Sequence, residues 1–158
     1  PVLRADRSQI EQIALNLVIN ARDAMNGQGR LCVRTRSVDV VDDGAVPVGA
    51  WVVFCVSDTG CGMDDETRAR IFEPYFTTKD AGHGTGIGLA TCKGIVDALG
   101  GHIVVDSVVG EGSRFSVYLP RVAGDERTGS LARASAPGGG GDDGVAAHDD
   151  DGTGLAQR

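Results

Sequence analysis

Ile10-Glu-Gln-Ile-Ala-Leu-Asn-Leu-Val-Ile-Asn-Ala21 is apolar enough to be buried and helical in its spacing, yet it carries two asparagines one turn apart. Asn16 and Asn20, at i and i+4, share one stripe with Asp23 just off it, while Ile10, Ile13, Leu17 and Ala24 form the neighbouring apolar stripe that would face a sheet. An amide buried without a partner costs roughly 2 kcal/mol or more, so the pair needs something polar to hold, either backbone or a ligand.

Working outward, Ser8 with Glu11 three residues later reads as a capping box, and Gly27 and Gly29 follow Met25, which together predict a helix over 8–26. Leu31 to Val41 and Trp51 to Ser57 are rich in β-branched and apolar residues around Asp42-Asp43-Gly44 and Pro47, the pattern of a hairpin with a generous loop. A short helix and a loop follow. Thr85 to Leu99 returns to helical periodicity before Gly100-Gly101, and His102 to Val108 and Ser113 to Leu119 alternate around Gly110-Glu-Gly112 as a second hairpin. Two hairpins with helices on one side predict an α+β fold, a two-layer α/β sandwich rather than a doubly wound parallel sheet.

Composition bounds the function. The chain of 158 residues is 41% hydrophobic, enough for one core of ordinary size, and its formal charge of -7 argues against a duplex nucleic acid or an anionic membrane as partner. Its apolar runs fall far short of the roughly 18 residues of a membrane span, and no signal-peptide pattern opens it, so a soluble chain is expected. Starting at Pro1 without Met, it reads as a piece of a longer protein. Cys32, Cys55, Cys61 and Cys92 form no CxxC pair, which favours buried or semi-buried thiols in a reducing compartment over a zinc site. After Pro120 the chain turns to Gly138-Gly-Gly-Gly141, Asp142-Asp143 and Asp149-Asp-Asp151 without an aromatic residue. Such a segment cannot bury enough surface to offset its ordering entropy. The expected division is therefore a domain over 1–121 and a disordered Gly/Asp-rich tail or linker over 122–158.

Three further clusters carry chemistry. Asp58-Thr-Gly-Cys-Gly-Met63 follows directly on the apolar strand, so a carboxylate emerges at a strand end where Gly60 and Gly62 let a flat ligand approach the backbone; an Asx turn explains the same residues. Gly82-His-Gly-Thr-Gly-Ile-Gly-Leu-Ala90 sets glycines before a helix, where amide N–H groups bind anions, in a spacing that fits neither a Walker loop nor a dinucleotide-binding turn. Arg70-Ile-Phe-Glu-Pro-Tyr-Phe-Thr-Thr-Lys79 interleaves aromatic and polar residues as a lid would, with Phe72 and Phe76 to dock it and Lys79 to reach a terminal phosphate.

In order, Asn16-Leu-Val-Ile-Asn-Ala-Arg-Asp-Ala24, Asp58-Thr-Gly-Cys-Gly62, Ile71-Phe-Glu-Pro-Tyr-Phe-Thr-Thr-Lys79, Gly84-Thr-Gly-Ile-Gly-Leu89 and Gly110-Glu-Gly-Ser-Arg-Phe115 resemble the N, G1, F, G2 and G3 boxes of sensor histidine kinases. The resemblance spans roughly residues 1 to 120 and extends to the superfamily of DNA gyrase, Hsp90 and MutL ATPases. It implies the Bergerat ATP-binding fold, a mixed, mostly antiparallel sheet with three helices on one face and ATP under a mobile lid. It also implies ATP and Mg2+ as cofactors. By position, Asn20 resembles the Mg2+ ligand and Asn16 its support one turn earlier. Asp58 resembles the adenine-recognising carboxylate, with Gly60 and Gly62 beside it, and Ser113 the small hydroxyl sharing a water with adenine. Gly84, Gly86 and Gly88 would cradle phosphates, with Lys79 and His83 facing the γ-phosphate. Met63, Phe72, Thr78, Thr85 and Leu89 complete the implied nucleotide contacts. Asp23 stands in the N box where many members have a cation, and Arg22 is the candidate to neutralise phosphate on that side.

The resemblance further implies a catalytic role for Asn16 and Lys79. Hydrolytic branches place an acid where this chain has Asn16, and an amide is no general base near neutral pH, so ATP is held for a better nucleophile. The implied activity is a protein histidine kinase of a two-component system, transferring the γ-phosphoryl group to a histidine on an upstream dimerisation domain. A response-regulator receiver domain, a homodimeric parent with a monomeric isolated domain, and a cytoplasmic site for this domain follow from the same resemblance. None of His83, His102 and His148 sits in a helix with an acidic neighbour, so autophosphorylation by this chain alone is not expected. A gyrase-type clamp, a module with degenerate catalysis and a serine-directed kinase of the anti-sigma class are the alternatives.

Overall fold

The cap of the first helix is a carboxylate. In the computed structural model, which describes residues 2–40, 44–79 and 84–122, helix α1 runs Arg7–Ala24 and Asp6 caps it, accepting from the Ser8 N–H at 2.8 Å and the Ser8 hydroxyl at 2.7 Å. Gln9 reaches back to the Asp6 N–H at 3.4 Å, completing the box two residues earlier than Ser8 and Glu11 suggested. A carboxylate is the stronger acceptor for free N–H groups at the positive end of a helix, and Glu11 pairs with Arg7 instead, at 2.6 Å. At the other end Gly27, at φ 76°, closes the helix as expected, its N–H bonding to the Arg22 carbonyl at 3.3 Å.

Strands β2 (Leu31–Val40) and β3 (Gly49–Asp58) form the first hairpin, and β4 (His102–Val108) and β5 (Gly112–Val122) the second. A two-residue strand β1 (Val2–Leu3), which no sequence pattern indicated, pairs with Arg121 and Val122. The order is β1-β5-β3-β2, with β4 also on β5. β5 is thus central, bonded to β3 on one edge and to β4 and β1 in turn on the other. Every pairing among the described residues is antiparallel, within the mostly antiparallel α+β arrangement expected. Helices α2 (Asp65–Arg70) and α3 (Gly88–Ala98) complete the described elements; α3 starts three residues later than its periodicity suggested, because Thr85 to Ile87 belong to the glycine loop.

Register decides the core. Val56 lies opposite Phe115, which lies opposite Val105, and this alternate set faces Ile13, Leu17 and Ala21 of α1 and Cys92 and Val96 of α3. Leu17 is 1% exposed, and truncating such a side chain to alanine typically costs about 2–5 kcal/mol. The same apolar stripe presents Asn16 and Asn20 to one side of α1, which is how the packing of the core fixes the site. The intervening positions Trp51 and Val53 are also buried. The Trp51 indole donates to the Pro47 carbonyl at 3.0 Å and meets the His102 ring edge-on at 5.3 Å, so His102 is occupied away from the site.

The described residues fall within one compact unit, Pro1–Gly124, and no helix among them is long and apolar enough to cross a membrane. The tail expected over 122–158 lies, beyond Val122, outside the described residues, as do 41–43 and 80–83, His83 among them.

Candidate functional site

A cleft of about 620 Å³ opens beside α1, between the Asp58 loop, the segment Phe76 to Lys79 and the start of α3. This is within the usual size of small-molecule sites. Of the residues singled out from sequence, Asn16, Asn20, Asp23, Asp58, Gly62, Met63, Thr78, Lys79, Gly84, Thr85, Gly86, Gly88, Leu89 and Ser113 line it. Gly60 and Phe72 do not. A Cβ on Gly60 would meet the Ala24 carbonyl at 2.7 Å, so this glycine serves the packing of the loop against α1, and Phe72 packs on the core.

One end of the cleft is a carboxylate. Asp58 closes β3, is 7% exposed and accepts the Gly60 N–H at 2.8 Å through Oδ1, the Asx turn its sequence allowed. Among the described residues Oδ2 has no partner and no buried polar side-chain atom is orphaned, so Oδ2 is open toward the cleft. The Asx turn thus occupies one oxygen and leaves the other available to a ligand, so the two readings of Asp58 do not exclude each other. Gly62, at φ 66°, has no room for a side chain: a Cβ would lie 1.9 Å from the Val108 carbonyl oxygen. Behind it Ser107 accepts the Met63 N–H at 2.8 Å and shares a hydrogen bond with Ser113 at 2.9 Å. No sequence pattern marks Ser107; only its register opposite Ser113 indicates it.

The other end is cationic and rich in N–H groups. α3 begins at Gly88 with no side-chain cap, leaving its first N–H groups for whatever sits in the cleft. Asn16 is committed: its Nδ2 donates to the Gly88 carbonyl at 3.1 Å and its Oδ1 accepts from Gln12 at 3.1 Å, tying α1 to α3. Asn20, one turn on, has no hydrogen-bond partner among the described residues and is only partly buried, so its amide is available to a ligand. Lys79 Nζ meets Asp23 Oδ2 at 2.7 Å, and Arg22 bonds to Oδ1 at 2.8 and 3.0 Å. Lys79 first and Arg22 second hold the Asp23 carboxyl below the ordinary aspartate range, which makes it a poor base.

Ile19, Asn26, Cys61, Thr67, Ile71, Phe76, Thr77 and Phe115 also line the cleft. Phe76, expected as a dock for the lid, packs on the core and under the Arg70 guanidinium at 4.3 Å. Cys61 is exposed, contrary to the buried or semi-buried state expected of all four thiols; Cys92 is fully buried, and burial pushes its thiol up to about 11.

Residues 5–123 match the family model described as histidine kinase-, DNA gyrase B-, and HSP90-like ATPase. The chain is 44% identical to the sensor kinase CckA of Brucella abortus (strain 2308), over 79% of this chain and 14% of that one. Among solved structures it resembles full-length ShkA in complex with AMPPNP, with TM-score 0.61 and 32% identity over 76% of this chain and 23% of that one. It also resembles the catalytic domain of histidine kinase ThkA, with TM-score 0.58 and 32% identity over 75% and 70%. The chain spans 13 to 24% of the length of the curated sensor kinases it matches.

Proposed function

This chain belongs to the family of histidine kinase-, DNA gyrase B- and HSP90-like ATPases, as the ATP-binding catalytic domain of a sensor histidine kinase, and from that premise we propose how its cleft holds and spends ATP. Asp58 Oδ2 accepts the exocyclic amine of adenine, with Gly62, Met63 and Ser113 around the ring. The phosphates lie toward Asn20, the free N–H groups of α3, and Lys79 and Arg22. Asn20 would hold Mg2+, because an unpartnered amide oxygen is a hard donor of the kind that ion takes, and the ion supplies charge neutralisation at the phosphates when bound.

The observation that carries the reaction class is the lack of a competent base near the phosphate end, among the described residues. Asn16 is an amide bonded to Gly88, and Asp23 is bound by two cations. None of the described residues therefore assists water attack, and the domain positions the γ-phosphoryl group for a stronger nucleophile. That nucleophile is a histidine of an upstream dimerisation domain. The phosphoryl group then passes to a receiver domain of a response regulator, in a homodimeric parent whose catalytic domain, over 1–121 with a tail over 122–158, is cytoplasmic. His102, the one histidine in the described residues, meets Trp51 edge-on outside the cleft, so it is not placed to take the phosphoryl group.

Adding an upstream histidine-bearing hairpin and γ-labelled ATP tests this reading. An acid-labile label on histidine of the hairpin, and none on this chain by itself, is the expected result; a serine-linked label, or free phosphate alone, overturns it.

A further inference from the structure

The ion pair between Lys79 and Asp23 joins two walls of the cleft that are 56 residues apart in sequence. Its side chains are 32% and 24% exposed, so it is less screened than a pair on the open surface. Asp23 uses both oxygens: Oδ2 takes the Lys79 ammonium, and Oδ1 takes the Arg22 guanidinium at 2.8 Å. Lys79 and Arg22, the cations on this stretch of the cleft, are thus both committed to one carboxylate. A polyphosphate arriving beside Asn20 meets a wall whose local charge is one unit positive rather than two.

We propose that Asp23 is a specificity-determining residue, an internal anion that holds Lys79 and Arg22 and that phosphate must displace before it gains those cations. The inference rests on the reading of the cleft as an ATP site, and it names what that site demands of its ligand. An ammonium has three donors but one flexible stem, and the lowest-energy position between two anions is set by their relative charge. A triphosphate carries enough charge to draw Lys79 off a carboxylate, a diphosphate less, and an uncharged nucleoside none. Asp23 therefore weakens binding of charged nucleotides and leaves nucleoside binding untouched. Removing it frees a cation, and the benefit depends on that cation being present.

Calorimetric titration of the 158-residue chain with ATP, ADP and adenosine tests this, using wild type, Asp23→Asn, Lys79→Met and the double variant, with Asp23→Ala as a second substitution. Asp23→Asn is expected to tighten ATP binding roughly threefold to tenfold, ADP less, and adenosine not at all, and Asp23→Ala to act in the same direction. In the Lys79→Met background the gain for ATP should shrink. An ATP affinity unchanged or lowered in both Asp23 variants overturns the proposal. So does an equal gain with and without Lys79, which would mean plain charge repulsion. If wild type binds ATP and these results follow, the functional reading stands and this inference alone falls; if wild type binds no ATP, both fall.

Discussion

Tyr75 and Gly86 meet backbone to backbone: the Tyr75 N–H donates to the Gly86 carbonyl at 2.9 Å, and a Cβ on Gly86 would lie 2.4 Å from the Tyr75 carbonyl carbon. Both residues are in the left-handed region, at φ 69° and 64°. This contact fastens the segment before Lys79 to the glycine loop before α3, so these two walls of the cleft are positioned as one. Gly86→Ala should therefore do more than add a methyl group. The backbone strain alone costs roughly 1–2 kcal/mol, and relief of the clash must separate the two segments. Weakened ATP binding together with a lower urea midpoint is the expected outcome, and unchanged values of both would show that the contact yields without consequence.

The two asparagines that first marked the site should separate in their effects. Asn20→Ala removes an amide with no partner among the described residues, so thermal stability should hold while Mg2+-dependent ATP binding is lost. Asn16→Asp keeps the acceptor for Gln12 but removes the donor to Gly88 and sets a carboxylate against a carbonyl. That change should lower stability by about 1–3 kcal/mol. Melting curves and titrations with and without Mg2+ distinguish the two, and a stability loss in Asn20→Ala larger than in Asn16→Asp would reverse the assignment.

What was legible in the sequence was what local periodicity and turn chemistry encode. The helix around Asn16 and both hairpins fell within a few residues of their observed bounds, because each is specified by neighbours in the chain. β1 was not legible, since two residues carry no period and their partners stand at Arg121 and Val122. The roles of the glycines were read only in part. The Gly62 pattern in the sequence points to room for a ligand, and the structure shows it also as room for Val108, a contact set by the return of the second hairpin. Ser107 and the bond between Asp23 and Lys79 depend in the same way on tertiary approach. The site composition was visible in the chain; the pairing of its charges was not.

The pairing gives the cleft a pH dependence of fixed sign. Because Lys79 and Arg22 lower the Asp23 pKa on folding, the pair contributes stability that is fully present above the unfolded aspartate value and is lost as pH falls through the lower folded value. Tying of Lys79 to α1 should accordingly persist through neutral and mildly acidic pH and fail only below the ordinary carboxylate range. Carboxyl NMR titration of Asp23 checks this directly. A midpoint at or above the ordinary aspartate value would mean that Lys79 does not rest on it in solution.

The cysteines offer a chemical probe of the same cleft. Cys61 is exposed on its wall, held by hydrogen bonds of its backbone to Ala24 at 3.0 Å and Gly110 at 2.7 Å, so its thiol should react readily in the folded chain. Cys92 is buried under α1 with its sulfur 3.8 Å from the Ile13 carbonyl, and a thiol pushed up to about 11 holds almost no thiolate at neutral pH. Iodoacetamide should therefore modify Cys61 first and reach Cys92 only on unfolding, as resolved by peptide mass spectrometry. ATP bound against Asp58 and Gly62 should shield Cys61 and slow its alkylation, whereas Cys32, on the edge strand β2, should react at the same rate with or without nucleotide. Loss of that contrast, with ATP slowing neither thiol, would place the nucleotide away from the Asp58 end of the cleft.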